Sequence, residues 1–208
     1  MGLSLPRGTR LRSGALLAFA VLSVPTTTSL ATAAEAMLAG GPTSQPIGHF
    51  EFCRAHVNEC TIQSTNTRPE HMTNKLWRRL VAVNLSVNKH VKALDDFDHF
   101  GKAEVWAYPS DGFGDCEDYV LEKRRMLLQR GVPISDLLIT IVLQDNGEGH
   151  AVLTVRTDRG DFILDSSISQ VVRWDYAKYR YVKRQASNYT GHWVSILDGN
   201  DSTVGALR

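Results

Sequence analysis

The chain has 208 residues, with 23 Lys and Arg against 22 Asp and Glu, a formal net charge of +1, and 43% hydrophobic residues. This near-neutral balance leaves no electrostatic footprint for a nucleic-acid partner, and the length suits one domain with a single core better than two. No charge-free apolar stretch approaches the roughly 20 residues of a membrane span, so no membrane insertion is expected after removal of a leader.

Residues 1–34 read as a secretory signal peptide: Arg7, Arg10 and Arg12 precede an apolar stretch from Ala15 to Val24, and small residues around Ala31-Thr32-Ala33-Ala34 offer a cleavage site. A retained N-terminal anchor is the alternative. Cleavage would leave about 175 residues in a periplasmic or secreted protein. Taking the three leader Arg from 23 basic residues leaves 20 against 22 acidic ones, a net charge near −2. Residues 35–46, rich in Gly, Ala, Pro, Ser and Thr, read as a flexible leader, so the folded domain is expected over 47–208.

His71 to Leu94 places Leu76, Leu80, Val83, Val87, Val91 and Leu94 at the spacing of an amphipathic helix, with Asn84 to Asn88 as a candidate break. Asp95 to Gly114 has no sustained period and reads as a long loop. A helix follows over Cys116 to Arg130, with Asp115 as N-cap, Glu117 and Asp118 in the first turn, and Gly131 before Val132-Pro133 as the stop. Leu137 to Leu143 reads as a buried strand. His150 to Val155 and Phe162 to Leu164 read as a hairpin across Thr157-Asp158-Arg159-Gly160-Asp161, and Trp174 to Tyr181 and Tyr189 to Leu197 as one or two more strands. The basic runs Lys123-Arg124-Arg125 and Lys183-Arg184 read as solvated surface.

Three cysteines in an exported chain leave one over after any pairing. Cys53 and Cys60 could close a small disulfide loop, which leaves Cys116 as the free thiol. Cys116 stands where a glycine-rich loop becomes a helix, and unpaired N–H groups at a helix start favour a thiolate. His150 and Asp165 follow on strand-like segments. That order suggests a nucleophile, its base and an orienting carboxylate, provided the strand register puts His150 and Asp165 on one face. A buried inert cysteine, a surface histidine and a turn-forming aspartate are the bland alternatives. The Cys116 backbone N–H is one natural oxyanion donor, and Trp106, Asn84 or Asn88 could supply a second. Asp111, Asp115, Glu117 and Asp118 form an acidic cluster suited to Ca2+, though helix capping explains three of them without an ion. Carboxylates so close would raise the thiol's pKa, and a bound cation would remove that penalty.

Val83-Asn84 with Val87-Asn88, Gly112-Phe113-Gly114-Asp115-Cys116-Glu117-Asp118-Tyr119, Gly149-His150-Ala151-Val152-Leu153, Gly160-Asp161 with Leu164-Asp165, and Lys183-Arg184-Gln185 together resemble the bacterial transglutaminase-like cysteine proteinases, over about Phe52 to Trp193. The resemblance implies an α+β fold with a papain-like, transglutaminase-like core, its nucleophile at a helix N-terminus packed on an antiparallel sheet. It implies a catalytic triad of Cys116, His150 and Asp165, and calcium held by Asp115 and Glu117. It further implies a calcium-dependent periplasmic endopeptidase that clips a large adhesin and frees cells from a biofilm, restrained by an inner-membrane cyclic di-GMP receptor. Ser166-Ser167 departs from the family, where an Asn is expected just after the aspartate. Acyl transfer by a transglutaminase or amidase at the same site is the nearest alternative. A calcium-binding module that docks a membrane receptor without catalysis, and a structural envelope protein, are two others.

Overall fold

Residues 1–3 and 36–197 are described in this computed structural model of the protein, so the expected signal peptide lies almost wholly outside the described residues. All elements below belong to the unit Thr32–Arg208. In chain order they are β1 (Leu38–Thr43), α1 (Ile47–Ala55), α2 (Val57–Cys60), α3 (Asn74–His90), β2 (Lys92–Ala93), α4 (Asp96–Phe100), β3 (Phe113–Gly114), α5 (Cys116–Gln129), β4 (Leu137–Leu143), β5 (Gly149–Thr157), β6 (Gly160–Leu164), β7 (Val172–Arg173), β8 (Arg180–Ala186) and β9 (Tyr189–Leu197). Among the described residues no helix is long and apolar enough to cross a membrane.

The α+β reading holds: one seven-stranded sheet, in the order β1-β9-β8-β4-β5-β6-β7, pairs antiparallel throughout. The amphipathic stripe on α3 turns Leu76, Leu80, Val83 and Val87 into the core, where they join Tyr119, Val120 and Leu127 of α5 and Leu153 and Val155 of β5. The α3 helix runs unbroken through Asn84 and Asn88, because these side chains bond outward to a loop rather than to their own backbone. Thr73 caps its start, its side chain accepting from the Leu76 N–H at 3.0 Å.

Other expectations are corrected, among them the loop over Asp95 to Gly114, which holds α4 and β3. Leu38–Thr43, read as part of a flexible leader, forms the edge strand β1 on β9, and the preceding Met37 N–H donates to buried Asp161 at 3.1 Å. An edge strand held by backbone bonds needs no alternating pattern, which is why its Gly- and Pro-rich composition concealed it. Trp174 to Tyr181 is not one strand: a 3-10 turn over Trp174–Tyr176 precedes β8. The basic runs are not plain surface, for Lys123, Arg124 and Arg184 are buried. Arg124 donates to the Leu137 carbonyl, and Arg184 Nη1 lies 2.9 Å from Asp161 Oδ2. Arg184→Met would strand the buried Asp161 charge, so a loss of about 3–5 kcal/mol is expected. A lowered urea midpoint at unchanged slope is the measurement; an unchanged midpoint would mean the pair contributes nothing.

Cys53 and Cys60 form a disulfide that joins α1 to α2, and Cys116 is the free cysteine.

Candidate active site

Gly114 and Asp115 lead directly into α5, so Cys116 occupies the first helical position, half-buried. Gly114 is required by close approach: a Cβ there would stand 2.7 Å from the Asp118 Cβ. His150 is the second residue of β5, and Asp165 follows β6 directly. The β5–β6 register pairs Leu153 with Leu164; continued by one residue it sets Asp165 opposite Val152, two positions from His150 and on its face. The imidazole Nε2 accordingly lies 2.8 Å from Asp165 Oδ1, with both residues buried.

Asp165 is closely held. Its carboxylate also accepts from the Ser167 N–H at 2.9 Å and from the Tyr179 hydroxyl, and its carbonyl accepts from Asn88 Nδ2 at 2.9 Å. Burial alone would raise this carboxyl, but the hydrogen bonds from His150, Tyr179 and Ser167 outweigh it and hold it below the usual carboxylate range. Asn84 and Asn88 donate to the carbonyls of Asp165, Ile168 and Ser169. They shape the loop after the aspartate, and those bonds occupy the amide donors considered for the oxyanion.

Two cavities meet at Cys116 and His150. One, of about 490 Å3, is bounded by Leu94, Asp95, Asp115, Tyr119, Ser166 and Ser167. The other, of about 410 Å3, is bounded by Pro46, Glu104, Trp106, Glu117, Gly149 and Lys183. The thiol and the imidazole therefore stand at the middle of an open cleft. Trp106 reaches it, but its indole N–H donates to Glu104 Oε2 at 3.3 Å, so the expected oxyanion donor is already engaged.

The thiol differs from the expected pattern. Cys116 Sγ donates to Glu117 Oε2 at 3.0 Å, and burial together with the Glu117 carboxylate pushes the thiol up rather than down, against an opposing pull from the Ala151 N–H. The helix start favours the thiolate, and burial together with the neighbouring acids overrules it.

Those acids form the group most suited to a cation. Ligand atoms of Asp96, Asp115 and Glu117 all lie within 4.8 Å of one another. Burial and the Glu117 charge raise Asp115 to about 8, and burial raises Glu117 and Asp96 as well. Asp96 Oδ1, Asp115 Oδ1 and Asp118 Oδ2 are buried without a hydrogen-bond partner. Oxygen donors, crowded charge and orphaned carboxylate atoms all fit a hard divalent cation. Asp115 occupies the N-cap position, yet its side chain makes no capping bond, being turned into this cluster. Asp111 lies apart, paired with His99 at 2.8 Å. Asp96 was not legible as a member, because it arrives from α4, within the stretch read as loop; Tyr179, from just before β8, was missed because Trp174 to Tyr181 was read as a strand, whereas it lies in the connection between a 3-10 turn and β8.

A family model described as bacterial transglutaminase-like cysteine proteinase matches residues 39–201. Among solved structures, the chain is similar to calcium-bound LapG of Legionella pneumophila at 25% identity and a TM-score of 0.50, over 64% of this chain and 76% of that one. Two further structures of the same protein, one of them EGTA-treated, match at 28% and 25% identity, each with a TM-score of 0.49, over 60% and 64% of this chain and 71% and 76% of theirs. No curated protein matches the chain.

Proposed function

Because the chain belongs to the bacterial transglutaminase-like cysteine proteinases, and so is a cysteine peptidase, we propose that Cys116, His150 and Asp165 carry out its chemistry as a calcium-dependent endopeptidase. The observation that carries this reading is the buried 2.8 Å contact between His150 Nε2 and Asp165 Oδ1, with Cys116 at a helix start on the same cleft. Asp165 fixes the imidazole tautomer and leaves Nδ1 to exchange a proton with Cys116. The Cys116 thiolate adds to the substrate carbonyl carbon, and the oxyanion that forms takes the Cys116 backbone N–H. Protonated His150 gives its proton to the departing amine as the C–N bond breaks, leaving a thioester. His150 then removes a proton from water, whose oxygen displaces the thiolate and releases the carboxylic acid. A role for Trp106 as second oxyanion donor requires its indole N–H to leave Glu104.

Asp96, Asp115 and Glu117 would hold the calcium, with Asp118 close by. Bound there, the cation would offset the acidic charge that keeps the thiol protonated. Calcium-bound LapG, at 25% identity, supports calcium as the ion, and the choice of residues rests on the cluster itself. Cleft walls open on both sides of Cys116 suit an extended polypeptide, and a surface or periplasmic protein such as a biofilm adhesin is the proposed substrate. The disulfide supports an exported, oxidising location. A cyclic di-GMP receptor in the inner membrane is the proposed regulator, on family resemblance alone. Transfer of the acyl group to an amine at the same thioester is the second reading, favoured by the openness of the cleft to an acceptor.

Alkylation of Cys116 by iodoacetamide, followed against pH with calcium and with EGTA, tests this reading without a substrate. Fast reaction well below pH 8 is expected only with calcium, and only while His150 is intact; equal, ordinary thiol rates in all samples and in His150→Ala would overturn it.

A further inference from the structure

Trp106 lies between α4 and β3, in a stretch that belongs to neither, so no helix or ladder bonds fix its backbone. Two carboxylates do so instead. The Val105 N–H donates to Asp96 Oδ2, and the Ala107 N–H donates to Asp118 Oδ1 at 2.7 Å, one bond on either side of the tryptophan. Each acid leaves its other oxygen, Asp96 Oδ1 and Asp118 Oδ2, buried without a partner. Both residues are buried, at 2% and 1% exposure. Asp96 belongs with Asp115 and Glu117 to the group whose ligand atoms lie within 4.8 Å of one another. The indole itself is backed by α1: a Cβ on Gly48 would stand 2.3 Å from Trp106 Cδ1, and the His49 ring meets it edge-on with centres 5.3 Å apart. So held, Trp106 forms part of the cleft wall beside Cys116.

We propose that Asp96 is a positioning residue that ties this wall to the ion: one carboxylate oxygen holds the Val105 amide, the other is free to meet calcium, and calcium binding thereby fixes the segment that carries Trp106. Asp118 is the second anchor of that segment, at Ala107. The proposal rests on the reading of Asp96, Asp115 and Glu117 as the calcium site. Without an ion, three carboxylates so close repel one another. A carboxylate relieves that repulsion by rotating away or by taking up a proton, and either change weakens it as an acceptor for the amide. A divalent cation removes the repulsion, keeps the carboxylate charged and fixes its rotation. The bond to Val105 then keeps its charge assistance, and the stretch from Val105 to Ala107 opens less often. Glu117, which accepts from the Cys116 thiol at 3.0 Å, carries the ion's effect to the nucleophile. Asp96 carries it to the wall.

The test is amide hydrogen exchange, followed by NMR on the full 15N-labelled protein at one pH, in saturating calcium and in EGTA. The Val105 and Ala107 amides should exchange about tenfold more slowly with calcium, over and above any slowing of the Val152 and Leu153 amides of β5, which report overall stability. The Trp106 indole N–H, assigned from a Trp106→Phe spectrum, should slow with them. Slowing no greater than that in β5 overturns the proposal. Asp96→Asn keeps an oxygen for the Val105 amide but loses the charge that meets the ion, so the Val105 response should disappear; a full response in that variant overturns the proposal as well. Equilibrium dialysis against radiolabelled Ca2+ separates this inference from the reading beneath it. A chain that takes up no calcium overturns the calcium site and this inference with it, whereas calcium taken up with Val105 and Ala107 in step with β5 overturns this inference alone.

Discussion

Cys116→Ser is expected to reduce peptide hydrolysis by several orders of magnitude while leaving the fold intact. The hydroxyl is close in shape to the thiol, and the cleft around Cys116 is open, so packing changes little. Its pKa is far above that of a thiol, and a site shaped around His150 and buried Asp165 offers no stronger base to ionise it. The loss should fall on kcat, since the cleft walls that bind substrate are untouched. Circular dichroism and the thermal midpoint should match the wild type. Hydrolysis by the Ser variant within tenfold of wild type would remove Cys116 from the chemistry and leave its place at the helix start unexplained.

Calcium removal is expected to produce the second large effect, on both activity and the pH dependence of stability. Burial and mutual repulsion raise Asp115 to about 8 and Asp118 to about 7, and they raise Asp96 and Glu117 too. In the unfolded chain such groups titrate near pH 4. Between about pH 4 and pH 8 the folded protein without calcium therefore binds more protons than the unfolded one, and stability is lost as pH rises through that window. Calcium held at this cluster would pair with the ionised carboxylates and should cancel or reverse the slope. In EGTA the thermal midpoint should fall from pH 5 to pH 8, and in saturating calcium it should hold level or rise. Asp96→Asn, Asp115→Asn and Glu117→Gln should each flatten the fall in EGTA and weaken the response to calcium. The Asp96 variant discriminates best, because Asp96 is remote in sequence from the nucleophile. Identical slopes with and without calcium, or an Asp96→Asn protein that responds like wild type, would show that the cluster does not hold the ion.

The apolar stripe from Leu76 to Val87, the Gly-Asp-Cys entry to α5 and the hairpin from His150 to Leu164 were legible because each is written in a short window: helical period, capping chemistry, and alternation around a turn. The candidate nucleophile, base and carboxylate could be named from their chain order. Their contact could not, since a strand register slipped by one residue would send Asp165 to the opposite face from His150. The same limit hid β1, whose only reason to be a strand is β9, more than a hundred residues away.

The sequence by itself determined the two long helices α3 and α5, the hairpin and the one unpaired thiol at a helix start, because those depend on neighbours along the chain. Only the tertiary structure decided which charges are buried: it carried Asp96 to Asp115 and Glu117, drew the Cys116 thiol onto Glu117, and sealed Lys123 and Arg184 inside. Charge is printed in the sequence, but the environment that sets its energy is assembled from segments far apart, so a lysine in a basic run reads as solvent-facing until the fold closes around it.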